Sequence, residues 1–233
     1  MNKQGNTYTI IYIVVLVLVV GAALAATSIS LRPRQQANAD ADKMRQILAS
    51  VLITPAPAEV IPTFEATVSR RFIVDAEGAE VAGDAFAVNV AEQSKLPSAE
   101  RLLPVYECRL ADGSVKYVLP VYGAGLWGPI WGYVALDADG STIYGAYFAH
   151  QGETPGLGAE IEKPAFSSQF EGKQLFKGAH FLPVAVVKAG RKPAGDEDYV
   201  DGVSGGTITS KGVGAMLSDC LAPYEAYLST LRK

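Results

Sequence analysis

The chain has 233 residues, enough for one substantial core or for one domain with an accessory segment. Apolar residues make up 49% of it and the formal charge is −4, a balance that argues against intrinsic disorder and against nucleic-acid binding. Two cysteines, Cys108 and Cys220, stand in no C-x-x-C spacing, so the sequence signature of a zinc or iron–sulfur site is missing. They can pair in an oxidising compartment, although Cys220 falls on the apolar face of the last helical pattern and reads as a buried thiol.

In chain order, residues 10–26 are apolar without a charge, and with Tyr8 and residues 27–29 they reach the roughly 20 residues that cross a bilayer. Tyr8 and Tyr12 sit where interfacial rings would. A cleaved signal peptide competes, with Ala23-Leu24-Ala25 as its A-x-A site, but the run is longer than an ordinary signal core and favours an uncleaved anchor. Lys3 on one side and Arg32 and Arg34 on the other leave orientation open by charge alone. No second span follows, which puts the rest of the chain on one side. Asn38 or Asp40 can then cap a separate helix with Met44, Ile47, Leu48, Val51 and Leu52 on its apolar face, ended by Pro55 and Pro57.

Antiparallel sheet is the expected content of the middle. Asp112-Gly113 separates strand-like residues 105–110 and 115–121, and Asp139-Gly140 separates 133–136 and 142–148, which gives two hairpins. Residues 72–74 and 86–90 read as shorter strands, and 184–187 as another, followed by a polar turn over 190–198. Between the hairpins, Gly125-Leu126-Trp127-Gly128 and Trp131 lie either at a core bend or on a flat platform for a ligand ring. His150-Gln151-Gly152-Glu153-Thr154-Pro155-Gly156-Leu157-Gly158 is too rich in Gly and Pro for a helix or strand. Its H-x-x-E pair lacks a helix and further ligands, so a rigid loop offering backbone N–H groups is a better reading than a metal site. Val213, Met216, Leu217, Cys220, Leu221, Tyr224, Leu228 and Leu231 mark a final amphipathic helix kinked at Pro223.

The stretch that carries chemistry is Asp201-Gly202-Val203-Ser204-Gly205-Gly206-Thr207-Ile208-Thr209-Ser210, a small-residue loop leading into that helix, expected to begin near Ser210 or Lys211. Taken alone it can be a loop that caps a helix through Thr209 or Ser210. Gly202-Val203-Ser204-Gly205-Gly206 also resembles the nucleophile loop of chymotrypsin-like proteases, but His150 and His180 lie too near Ser204 for that fold, and Val203 replaces its Asp. No catalytic residue is assigned to this chain.

Three separated pieces, the N-terminal span with Asn38 and Asp42-Lys43, the G-L-W-G and Glu153-Thr154-Pro155-Gly156-Leu157-Gly158 loops, and Ser204-Gly205-Gly206-Thr207, together resemble the FMN-binding domain family. Among its members they resemble the C subunit of the bacterial Na+-translocating NADH:quinone oxidoreductases. Glu153 to Gly158 is shared with the G subunit of Rnf-type electron-transport complexes, which is the alternative. Ser204-Gly205-Gly206-Thr207 is similar to the S/T-G-A-T signature that carries FMN on its Thr, with Asp201 in place and Gly206 where Ala is usual. The resemblance implies an α+β fold: an anchor over residues 1–36 and an FMN-binding domain over 37–233 on antiparallel sheet with flanking helices. It implies covalent FMN on Thr207 through a phosphoester, with Ser204, Gly205 and Gly206 around it, and Glu153, Thr154, Gly156 and Leu157 placed against the ring. It implies a single-pass inner-membrane protein with its bulk on the periplasmic side, and a role as a redox subunit, without a metal, of a translocase of six subunits that oxidises NADH, reduces ubiquinone and exports Na+. A separate flavin transferase would load it, because nothing in the loop activates the Thr hydroxyl. A contrasting reading is a membrane-anchored, non-redox binding or assembly module.

Overall fold

The computed structural model describes residues 5–232, and Lys3, used above for orientation, lies outside them. The chain forms two compact units, Met1–Lys43 and Met44–Lys233.

Helix α1 (Asn6–Ser50) is continuous, which corrects the expectation of a separate helix capped at Asn38 or Asp40. The sequence after the apolar run keeps helix formers such as Leu31, Arg32, Gln35 and Gln36, Gln36 bonds Asp40 at i+4 (2.8 Å), and Pro33 removes only one N–H donor. The apolar part has the length and composition to cross a membrane. At its other end Leu52 N–H donates to the Ala49 carbonyl and Ile53 N–H to the Leu48 carbonyl, both at 3.0 Å. This is the Schellman closure, which places Leu52 at φ 62 where Gly is usual. Leu52, expected on the apolar face, is therefore turned outward and 52% exposed.

After α2 (Val60–Thr67) come β1 (Val68–Val74), β2 (Glu80–Val81), a short α3 (Val90–Gln93), β3 (Leu103–Arg109), β4 (Val115–Ala124), β5 (Pro129–Asp137) and β6 (Ile143–His150). The strands form one antiparallel sheet in the order β2-β1-β3-β4-β5-β6. Both D-G pairs turn hairpins as expected, with Gly113 (φ 82) and Gly140 (φ 64) in the left-handed region. Residues 86–90 form no strand. Asp84 accepts the Phe86 N–H, and Asn89 caps α3 by accepting from Glu92 N, so side-chain caps win over the apolar alternation there.

Then follow α4 (Pro164–Ser167), the hairpin β7 (Phe176–Lys177) and β8 (His180–Phe181), the parallel pair β9 (Ala185–Val187) and β10 (Tyr199–Asp201), α5 (Thr207–Leu221) and α6 (Glu225–Leu231). Pro223 sits in the 3-10 turn that separates α5 from α6, as expected. One sheet face packs Leu119, Val121, Ile130, Val134 and Phe148 against Val213, Met216, Leu217 and Leu221 of α5. The other packs Tyr106, Val118, Tyr133 and Ala135 against Ile47, Leu48, Val51 and Phe64. Cys108 and Cys220 belong to opposite faces and are free, buried thiols, and burial followed by the nearby Glu107 charge pushes Cys108 up to about 12.

Candidate functional site

Helix α5 begins at Thr207, three residues before the expected start, with Gly206 as N-cap and no side-chain cap. Ser210 N–H already donates to the Gly206 carbonyl (2.9 Å), so Thr209 and Ser210 lie inside the first turn and cap nothing. Their hydroxyls are used elsewhere. Thr209, 1% exposed, donates to Glu153 Oε2 at 2.5 Å, and Ser210 Oγ accepts the Val203 N–H at 2.9 Å. Thr207, at the first helical position, and Ser204, in the loop, are exposed, and the Thr207 hydroxyl has no hydrogen-bond partner among the described residues.

Thr207 opens onto a cleft of about 310 Å³ between the loop 202–205, the first turn of α5 and the C-terminal end of β9. Val186, Val187, Ala189 and Val203 supply its apolar lining, and Lys188 and Lys211 its cationic lining. The free N–H groups at the start of α5, a helix of 15 residues, add the positive end of its dipole. Such a place suits a phosphate beside an apolar group.

The loop 153–158 lies against this stretch although it is some fifty positions earlier in the chain. A Cβ on Gly205 would stand 2.6 Å from Leu157 Cδ2, and one on Gly206 would stand 3.2 Å from the Leu157 carbonyl, so the Gly-Gly pair is what admits Leu157. Gly156 takes φ 75 and its N–H donates to Glu160, while the exposed Thr154 closes the loop by accepting from Leu157 N and Ala159 N. Glu153 turns inward and is 5% exposed. Its Oε1 accepts the Trp127 N–H at 2.8 Å, and its own N–H donates to His150 Nδ1 at 3.1 Å. Burial raises the Glu153 carboxyl, but the Thr209 hydroxyl, the Trp127 and Leu126 N–H groups and His150 outweigh it and hold the group below its usual range. The H-x-x-E pair is thus engaged within the loop: the Glu153 N–H meets His150 Nδ1, and His150 Nε2 faces Glu162 at 3.7 Å.

The FMN-binding domain family's sequence model matches residues 125–222, which span both loops and the whole of α5. The C subunit of the Na+-translocating NADH-quinone reductase of Vibrio anguillarum is 48% identical over 109 residues, and that of Yersinia pestis is 45% identical over 113. The crystal structure of the same C subunit from Parabacteroides distasonis shares 48% identity and a TM-score of 0.80, covering 85% of this chain and 97% of that one. The chain belongs to the NqrC family. Shewanella oneidensis NqrC, at 27% identity, gives a TM-score of 0.69 over 84% of this chain and 99% of that one. The match to the Vibrio relative spans 47% of this chain and 42% of that protein.

Within this NqrC fold the two tryptophans part company. Trp131, on β5, points to the face packed by α1 and donates from Nε1 to Gln46 Oε1 at 3.0 Å, whereas Trp127 precedes the strand and is 69% exposed. Trp127 and Leu126 join Leu157 and Ile208 as large apolar side chains left open on the loops and first turn held together by Glu153. Sequence reasoning missed Lys188 and the β9 wall, since nothing local to residues 185–189 marks them as neighbours of Thr207. It also missed the inward turn of Glu153. Gly125 and Gly158 were the available signal, because a Cβ at either would collide with the Glu153 carboxylate.

Proposed function

We propose that this protein holds FMN as a phosphoester of Thr207 and acts as the electron-carrying C subunit of a Na+-translocating NADH:quinone oxidoreductase. The observation that carries the reading is the allocation of hydroxyls: Thr209 and Ser210 are buried and bonded, while Thr207 stands exposed at the start of a long helix on a cleft with two lysines. The residues fit the group. The α5 N–H groups, Lys188 and Lys211 would hold the phosphate, and Leu157 with the walls of the cleft would limit where the rest lies. When bound, the isoalloxazine supplies the one-electron chemistry. Ser204 and Gly205, both exposed, leave the loop backbone open to a flavin transferase, which has to supply FMN as a phosphoanhydride and accept the Thr207 proton. The Thr207 oxygen bonds to the FMN phosphorus as the anhydride P–O bond breaks and the second phosphate group leaves.

The partners are then that transferase, the other members of a complex of six subunits, and the membrane crossed by α1. The FMN domain lies on the extracytoplasmic side, where a lost flavin is not readily replaced and a covalent bond has its use. The test is the full chain co-expressed with a flavin transferase, denatured and viewed by in-gel ultraviolet fluorescence, with peptide mass spectrometry to place the adduct. Wild type and Ser204→Ala are expected to fluoresce and Thr207→Ala to be dark. A dark wild-type band leaves the non-redox anchored module in possession, and an adduct on Thr209 overturns the choice of hydroxyl.

A further inference from the structure

Glu153 is a buried carboxylate whose two oxygens go to two different segments: Oε2 to the Thr209 hydroxyl in the first turn of α5, and Oε1 to the Trp127 N–H in the loop 125–128. Two glycines make room for it. A Cβ on Gly125 would lie 2.5 Å from Oε1, and one on Gly158 would meet Oε2 and the Thr209 hydroxyl. Three chain segments thus converge on one anion, and Thr207 is two residues from the nearer of its partners. An acceptor in the first turn also places negative charge where the helix dipole favours it.

We infer that Glu153 is a positioning residue for the cofactor loop: its carboxylate clamps the first turn of α5 to the loops 125–128 and 153–158, and its fixed charge holds the flavin's midpoint potential down. The clamp rests on the geometry alone, and the effect on potential rests on the FMN reading. The electrostatic step is simple. A carboxylate shielded from water is weakly screened by salt, so adding an electron nearby costs more than it would beside a neutral group. With the carboxyl held below its usual range, the charge is present at neutral pH.

Two substitutions separate clamp from charge. Glu153→Gln keeps the shape, since its amide oxygen can accept from Trp127 N–H and its amide nitrogen can donate to Thr209 Oγ1, while the charge is gone. Glu153→Ala removes both. In redox titration of the full-length flavinylated protein, Glu153→Gln is expected to raise the midpoint potential, with the reduced-to-oxidised ratio at fixed potential rising on the order of tenfold, or about 59 mV for a one-electron couple. In hydrogen exchange of the flavin-free full chain in detergent, Glu153→Ala is expected to speed exchange in residues 125–128 and 207–211 together, and Glu153→Gln to leave both near wild type. An unchanged potential in Glu153→Gln overturns the electrostatic role. Exchange that rises in one segment only, or equally in Gln and Ala, overturns the clamp. The exchange measurement needs no flavin, so it stands even if the wild-type protein takes up none and the reading of Thr207 fails.

Discussion

One face of the sheet is closed by Ile47, Leu48 and Val51 from the last turns of α1 and by Phe64 from α2; the other is closed by α5. The first closure is mainly side chain on side chain, with one backbone contact where the Ser50 carbonyl lies against Gly145, and the Trp131 indole beside it is tied to Gln46. The second is closer and barer: Gly212 lies on the Ala124 carbonyl and Gly123 under Met216, so α5 approaches β4 almost backbone to backbone. Large apolar side chains hold a helix firmly but can repack around small shifts of its axis, whereas a backbone contact at glycine leaves little room for such a shift. That contrast accounts for where the site is. The helix whose first residue has to be aimed crosses β4 on two glycines, whereas the helix that closes the other face meets Gly145 only at its C-terminal end and is otherwise seated on leucine and isoleucine.

Breaking the first closure should have the largest effect on stability. Leu48→Ala removes a fully buried side chain and is expected to cost about 2–5 kcal/mol in urea unfolding of the full chain. Flavin bound per folded molecule should stay near wild type, because no group of the Thr207 cleft touches that face. A loss of flavin from the folded fraction would erase the distinction between the faces.

Gly212→Ala acts on the second closure, where the added methyl meets the Ala124 carbonyl and, at 3.4 Å, Ile130. The expected stability loss is smaller, about 1–3 kcal/mol as for overpacking in general. Covalent flavin should nevertheless fall several-fold by in-gel fluorescence, since α5 has to lift and carries Thr207 with it. Full loading with a stability loss equal to that of Leu48→Ala would mean that the glycine contact is ordinary packing.

The smallest effect is expected at Leu52, which ends α1 in the left-handed region against the Gly145 backbone. Leu52→Gly relieves that conformation at the expense of chain entropy in the unfolded state, and a net gain of about 0.5–1 kcal/mol is expected. A loss would show that the Leu52 side chain over Gly145 outweighs the backbone strain.

Much of the fold is legible without the structure because its signals are local. Asp112-Gly113 and Asp139-Gly140 name their turns through the left-handed glycine, β3 to β6 are the largely apolar runs that these turns bound, and the apolar positions of α5 recur at helical spacing up to Pro223. Local signals also mislead where two compete. Residues 86–90 alternate like a strand yet obey the caps at Asp84 and Asn89, and the residues after the apolar run continue α1 because Pro33 alone does not stop it.

That a hydroxyl-bearing glycine loop leads into an amphipathic helix is readable from the residues alone, and their motifs point to one flavin family. Which hydroxyl is free was decided by tertiary structure: Thr209 is occupied by a carboxylate 56 positions away, and Ser210 by the returning backbone of Val203. The same holds for Lys188, brought to Thr207 by the β9 strand, and for Trp127 and Trp131, separated because only the second lies within β5. The physical reason is that turn type and helical period depend on neighbours within a few residues, whereas the partner of a buried polar group is set by whatever segment the packed core brings beside it.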